Sequence, residues 1–385
     1  MADGAPVSAV RCVSATPETL RVEWQGGAVS EFSSLWLRDN LREDRDPHSG
    51  QRLIDVTDLP ADPRIRSART DNGALLVEWQ GETRAGSFDL DWLAAQAAGV
   101  AAQRPELKRR LWLEGSGLSA ERDFASVTLP AARSDATVRL AWLTRLLQDG
   151  IAFLTGVPCE ERAILGAMSL VGQVAETNYG LVFDVRALPQ PANLAYSDLG
   201  LGLHTDNPYR EPVPGFQALH ALSTSPDGGD SLFADGCALA EHLRATAPEA
   251  FACLTTTAVP FHYRAANAEL YAERPLIQLD ANGGVAAVHY NNRSIAPLAL
   301  PVHGMPTFYA AYRRFAALLR EPRFQLRLRL AAGDLVVFDN QRTLHGRTAF
   351  TSARHSRHLQ GCYLTRDSLY SGTALLRREL AAPRP

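Results

Sequence analysis

The segment Leu20-Arg21-Val22-Glu23-Trp24-Gln25-Gly26-Gly27 recurs as Leu75-Leu76-Val77-Glu78-Trp79-Gln80-Gly81-Glu82. Each copy runs into an aromatic-led stretch, Phe32 to Leu37 and Phe88 to Leu93, with Trp36 and Trp92 in matching places. Apolar and polar residues alternate along each copy, the period of a strand with one buried face, and the glycine that follows marks a turn. Two copies are too few for a solenoid. They predict a small β-rich N-terminal domain over residues 1–105.

Residues 106–130 are polar and mixed around Gly115-Ser116-Gly117 and read as a linker, which leaves 131–385 for the main domain. There, Leu140 to Leu147 has helical spacing, Asp149-Gly150 ends it, and Ile151-Ala152-Phe153-Leu154 opens a strand. Ala238–Ala245 and Pro306–Leu319 are further helices; Leu335–Phe338 and Gln360–Leu364 are late strands. Short strands outnumber helices, so the expected class is mainly β with flanking helices, antiparallel rather than built of βαβ units. Neither GxGxxG nor GxxxxGK[ST] occurs, which removes dinucleotide and P-loop readings.

Composition narrows the function classes. With 46% hydrophobic residues the chain can bury a large core, so full disorder is excluded. A formal charge of −3 gives no polycationic surface for nucleic acid or anionic lipid. No apolar run approaches the ~20 residues that span a bilayer, and no basic segment leads into an apolar one at the N-terminus. The five cysteines, Cys12, Cys159, Cys237, Cys253 and Cys362, are scattered and without CxxC. A disulfide framework is not expected, and a reducing cytoplasm is.

Three pieces carry chemistry. His204-Thr205-Asp206, in an extended segment, turns an imidazole and a carboxylate the same way. A bare H-x-D also fits a loop histidine beside a turn-capping Asp. His345 follows the apolar strand Val336-Val337-Phe338 and the polar run Asp339-Asn340-Gln341-Arg342. Alone it reads as a satisfied core histidine. Together, His204, Asp206 and His345 offer two imidazoles and a carboxylate to one face of a metal, a set that suits Fe(II) and O2 chemistry. Zinc accepts the same donors, so redox and hydrolytic chemistry both stay open on the triad. Arg357 is the third piece, sharing a strand face with Leu359. Buried beside a metal it requires an anion, which a dicarboxylate co-substrate supplies through a bidentate pair; otherwise it is a surface strand arginine.

The ordered set His204-x-Asp206, Gly228-Gly229-Asp230-Ser231, Phe338-Asp339-Asn340…His345-Gly346-Arg347 and Arg357-His358-x-x-Gly361-x-Tyr363 resembles the Fe(II)/2-oxoglutarate dioxygenases of the taurine dioxygenase superfamily. More narrowly, it is similar to the γ-butyrobetaine hydroxylase-like branch, whose small N-terminal domain carries a signature like Trp36-Leu37-Arg38-Asp39-Asn40. The resemblance implies a double-stranded β-helix (jelly roll) catalytic domain. It implies Fe(II) on His204, Asp206 and His345, O2 as co-substrate, and 2-oxoglutarate with its far carboxylate on Arg357 and Ser231. Relatives with zinc in the N-terminal domain place cysteines just after this signature. Here the stretch Leu41 to His48 has none, so no zinc is expected.

The same resemblance implies a small quaternary ammonium substrate. Tyr179, Phe183, Tyr196 and Tyr363 stand where such relatives enclose a trimethylammonium head by cation–π contact, with Phe183 where some carry Trp. Asn193 and Asn292 match positions that contact the anionic end, and Tyr209-Arg210 adds a cation nearby. γ-Butyrobetaine, giving L-carnitine, is the first candidate and 2-trimethylaminoethylphosphonate the alternative. A non-catalytic betaine-binding protein on the same fold and a zinc hydrolase are the readings from other classes. A homodimer is expected, with no nucleic-acid or membrane partner.

Overall fold

A computed structural model describes residues 9–97, 108–114, 118, 123–186, 198–225, 227–350 and 357–382. The chain divides into two compact units, Met1–Pro105 and Glu106–Pro385.

In the smaller unit the sequence repeat is a structural one. Strands β1 (Val10–Ala15), β2 (Thr19–Trp24) and β3 (Val29–Ser33) form an antiparallel sheet followed by a helix, Ser34–Asp39. Strands β4 (Ile65–Asp71), β5 (Ala74–Trp79) and β6 (Ala85–Asp89) repeat the arrangement, followed by Leu90–Ala97. Leu20, Val22 and Trp24 are buried along β2 as Leu75, Val77 and Trp79 are along β5. The equivalent Trp36 and Trp92 stack on each other, ring centroids 5.6 Å apart. The cysteine-free stretch after the helix is held by charge: Asp44 takes Arg38 at 2.7 Å and Arg84 at 2.6 Å, and Arg38 also pairs with Glu82 at 2.9 Å.

The larger unit is a jelly roll of two facing sheets. The larger sheet uses β7 (Ala125–Thr128), β8 (Ile151–Thr155), β9 (Val174–Ala175), β10 (Phe183–Arg186), β12 (Phe216–Ser223), β19 (Leu335–Asp339) and β21 (His358–Leu364), in the order β10-β21-β12-β19-β8-β7 with β9 on β21. The smaller runs β11-β20-β13-β18, from β11 (Leu201–His204), β13 (Ser231–Asp235), β18 (Leu326–Leu328) and β20 (Thr343–Arg347). Phe153, Leu219, Val336, Phe338 and Leu359 from the first meet Phe233 and Leu326 from the second in one buried cluster. Alternate residues of the larger sheet, Ala152, Leu154, Ala218, Val337 and Cys362, pack outward with Leu143 and Leu146 of the helix Ala136–Asp149 and Leu369 of Arg366–Ala381. Hairpins β14 (Val259–Ala265)–β15 (Ala268–Arg274) and β16 (Ile277–Leu279)–β17 (Val285–Val288) lie outside the two sheets.

Local chemistry sets these boundaries. The Asp135 carboxylate accepts from the Thr137 and Val138 amides, capping Ala136–Asp149, and Gly150 closes it at φ 75°. The segment expected as a linker is different. In its described residues Arg109 donates to the Val285 and Ala286 carbonyls at 2.6 and 3.0 Å, and the Trp112 indole donates to Asp149 O at 2.9 Å. β7 then pairs in parallel with β8, an exception to the antiparallel expectation. Polar composition misled because these groups bond buried backbone rather than water.

Candidate active site

β11 and β20 are neighbours in the smaller sheet, in a register that sets His204 opposite His345. Their rings lie 4.3 Å apart. Immediately after β11 the chain turns at Asn207, φ 55°, and presents Asp206 back toward both rings. Asn tolerates that left-handed conformation because its short amide bonds locally. Asp206 Oδ1 is 3.3 Å from His204 Nε2, and Oδ2 is 3.7 Å from His345 Nε2. The donor atoms of the three residues all lie within 4.8 Å of one another.

The tripeptide that carries two of these groups is gripped on every side. The Thr205 amide donates to Tyr290 O at 2.7 Å, and the Tyr290 amide returns a bond to Thr205 Oγ1 at 3.0 Å. The Asn291 side chain donates from Nδ2 to Thr205 O at 3.1 Å, and Asn340 bonds the Asp206 backbone. His204 Nδ1 lies 2.9 Å from Gly202 O, so a proton there leaves Nε2 free as a metal ligand.

Charge state favours the same use. Burial pushes the His345 imidazolium down to about 3 and lowers His204 as well, so both rings stay neutral ligands at physiological pH. Burial disfavours the Asp206 anion. The two imidazoles and the Tyr363 hydroxyl outweigh that and hold the carboxyl below the usual carboxylate range. Two neutral imidazoles and one carboxylate on a single side fit Fe(II) and leave its other positions open.

Around the triad lies a cavity of about 440 Å³. At one end Arg357, 5% exposed, donates from Nε to Gly229 O at 3.2 Å, with Ser231 beside it on the wall. Gly229 has φ 73°, and a Cβ there would sit 2.9 Å from Arg357 Cδ, so only glycine lets the arginine lie across this loop. Arg347, opposite Ser231 in the β13–β20 register, also lines the cavity. Burial brings Arg347 and Arg357 down to about 10, which leaves both cationic at neutral pH.

Aromatic rings make another wall. Phe183 lies 6.2 Å from Tyr179 and 5.1 Å from Tyr363 by ring centroid. Tyr263, on β14, stacks on Tyr209 at 5.0 Å and meets Tyr179 edge-on at 6.0 Å. The Tyr363 hydroxyl donates to Asp206 Oδ2 at 2.9 Å, tying this wall to the triad.

Of the expected site residues, the structure brings together His204, Asp206, His345, Arg357, Ser231, Tyr179, Phe183 and Tyr363 on one cavity. Asn193 and Tyr196 lie outside the described residues. Asn292 is a correction: it is exposed, accepts from the Tyr312 hydroxyl at 2.6 Å, and is not on the cavity wall. The segment is not a strand, and Asn291 and Arg293 face the cavity instead. Arg210 is also displaced from its expected part, bonding Asn178 and lying 5.7 Å from the Tyr179 ring rather than lining the cavity. Sequence reasoning gave no role to Tyr263, Arg293 or Arg347. Arg347 had a signal, two residues beyond His345 on one strand and therefore on the same face.

The family description "Taurine catabolism dioxygenase TauD, TfdA family" matches residues 114–363, and "Gamma-butyrobetaine hydroxylase-like, N-terminal" matches 12–94. The chain is 37% identical over 366 residues to γ-butyrobetaine dioxygenase of Pseudomonas sp. (strain AK-1), covering 93% of each. It is 27% identical to human γ-butyrobetaine dioxygenase, covering 94% of this chain and 95% of that one. Trimethyllysine dioxygenase of Meyerozyma guilliermondii is 26% identical over 93% of this chain and 94% of its own.

Proposed function

The chain belongs to the taurine catabolism dioxygenase TauD, TfdA family, and on that premise we propose that it hydroxylates a small trimethylammonium compound bearing a remote anionic group, with γ-butyrobetaine, giving L-carnitine, as the first candidate. The chain is an Fe(II)/2-oxoglutarate dioxygenase, which closes the hydrolase and non-catalytic readings. One observation carries the choice of substrate: Tyr179, Phe183 and Tyr363 line the same cavity as His204, Asp206 and His345. A permanent cation offers no hydrogen-bond donor, so aromatic faces are the means of holding it.

When bound, Fe(II) with 2-oxoglutarate and O2 supplies the oxidation: 2-oxoglutarate leaves as succinate and CO2, and one oxygen atom enters the substrate C–H bond. His204, Asp206 and His345 hold the metal on one side. Arg357 and Ser231 hold the far carboxylate of 2-oxoglutarate by a charge-assisted pair and a hydroxyl. The aromatic wall orients the substrate head and keeps water from it. Tyr363 holds its proton on Asp206 Oδ2, fixing the direction of that carboxylate.

A phosphonate tail, as in 2-trimethylaminoethylphosphonate, is a second reading, favoured by Arg293 and Arg347 among the residues that line the cavity. A cytoplasmic homodimer belongs to the same proposal, and light scattering on the purified chain checks the assembly. The test of function is succinate release across γ-butyrobetaine, trimethyllysine, trimethylaminoethylphosphonate and taurine. Release driven by a trimethylammonium compound supports the reading; release driven by taurine alone removes it.

A further inference from the structure

Asn207, the residue after Asp206, is 4% exposed and lines the cavity with the triad. Its side chain ends a run of hydroxyl groups. The Tyr209 hydroxyl donates to Asn207 Oδ1 at 2.6 Å, and the Tyr179 hydroxyl lies 3.3 Å from that of Tyr209. The Tyr263 hydroxyl bonds Tyr179 in turn. All three tyrosines line the cavity. Asn207 Nδ2 is buried and has no partner among the described residues, so the bond from Tyr209 is what holds this side chain.

One bond in the run has a fixed direction. A carboxamide oxygen only accepts, so Tyr209 gives its single proton to Asn207. Between Tyr209 and Tyr179 the donor is then Tyr179, whose own oxygen is left to accept from Tyr263. Burial pushes the Tyr179 and Tyr209 hydroxyls up, so the protons this order needs stay in place at neutral pH. Donation has an electrical consequence. A hydroxyl that gives its proton to a neighbour gains negative character, and successive donors in a chain reinforce one another. The ring shares that charge by conjugation with its oxygen, which deepens the negative face a cation meets. In the reverse order the Tyr179 oxygen would accept from Tyr209, and charge would be drawn out of the Tyr179 ring.

Resting on the trimethylammonium reading, we propose that Asn207 is a positioning residue for head-group recognition: its Oδ1 orders the Tyr209 and Tyr179 protons so that the Tyr179 ring offers the cation a more negative face. The residue beside a metal ligand thereby sets the strength of the aromatic wall. It acts on charge and not on shape, so a neutral group of the same outline gains nothing from it.

The test is calorimetry, under anaerobic conditions, on the full chain loaded with Fe(II) and 2-oxoglutarate, comparing γ-butyrobetaine with its neutral tert-butyl isostere. Tyr209→Phe keeps the ring that stacks on Tyr263 and removes the link to Asn207. It should lower the preference for the charged compound about 3-fold (~0.7 kcal/mol, at ~1.4 kcal/mol per tenfold), within the range of one cation–π contact. In a Tyr179→Phe background the same substitution should change nothing, since no hydroxyl remains there to be ordered. Asn207→Asp keeps an acceptor and a residue that tolerates φ 55°, and should hold the preference at or above the wild-type level. An equal loss from Tyr209→Phe in both backgrounds would mean that Tyr209 only packs, and no loss in either would remove the chain from recognition. Each result overturns the proposal. So does a lower preference in Asn207→Asp, which would make the bond to Tyr209 a donation from Nδ2. Wild type binding the two compounds equally would refute the trimethylammonium reading itself, and this proposal with it.

Discussion

The side-chain amide of Asn340 bonds both polar groups of the Asp206 peptide: its Oδ1 accepts from the Asp206 N–H at 2.7 Å, and its Nδ2 donates to the Asp206 carbonyl at 3.0 Å. Nδ2 also reaches Pro214 O at 3.2 Å, and the residue is fully buried. Asn340 lies in the turn between β19 and β20, so the strand that carries His345 also fixes the loop that carries Asp206.

That relationship makes Asn340 a positioning residue. Asn340→Ala should weaken metal binding about 10- to 100-fold, the usual effect of losing the groups that orient a ligand. Three backbone groups, Asp206 N–H, Asp206 C=O and Pro214 O, also lose this partner, at ~1–3 kcal/mol each. Titration with Co(II), followed by its visible absorption, reads the first effect and thermal unfolding the second. Unchanged Co(II) affinity in a folded variant would contradict this account.

Tyr363 serves two sites and its variants should separate them. Tyr363→Phe removes the bond to Asp206 Oδ2 and keeps the ring that faces Phe183. It should weaken metal binding by about 10-fold and leave the binding of a trimethylammonium compound nearly as it was. Tyr363→Leu should lose both. Equal effects of the two substitutions on head-group binding would mean the ring is only core.

Arg357→Gln should raise the requirement for 2-oxoglutarate about 10-fold or more, from the lost charge-assisted pair. Gly229→Ala should move in the same direction through a different cause. Its Cβ would press on Arg357 Cδ, and its backbone would be held at φ 73°. Fluorescence titration with 2-oxoglutarate in the absence of O2 reads both. A Gly229→Ala protein that binds 2-oxoglutarate like wild type would show that Arg357 does not need this loop.

Much of the site was legible because it sits on regular structure. His204 ends β11, His345 sits at the centre of β20, and the alternation that buries Leu359 also turns Arg357 inward. The repeat in the first hundred residues was equally plain, since identical spacing buried identical residues in β2 and β5. Reading failed where the chain leaves regular structure. Between Tyr290 and Ser294 no period says which side chain faces inward, and the expected Asn292 gave way to Asn291 and Arg293. Tyr263 arrives from a hairpin nearly sixty residues after the metal motif, a contact no local pattern announces. The helix Arg366–Ala381 did carry a pattern, Leu369, Thr373 and Leu376 on one buried face, within a sequence otherwise polar enough to pass for a tail.

In the proposed function this cavity oxidises a substrate held by its permanent positive charge. The most direct measurement compares succinate release with γ-butyrobetaine and with its neutral tert-butyl isostere, which keeps the shape and tail and removes the charge. Cation–π contacts are worth ~0.5–2 kcal/mol each, and Tyr179, Phe183 and Tyr363 line the cavity together. The account predicts that γ-butyrobetaine turns over at concentrations at least about 10-fold below those the isostere needs. Equal turnover of the two compounds at equal concentration would contradict it.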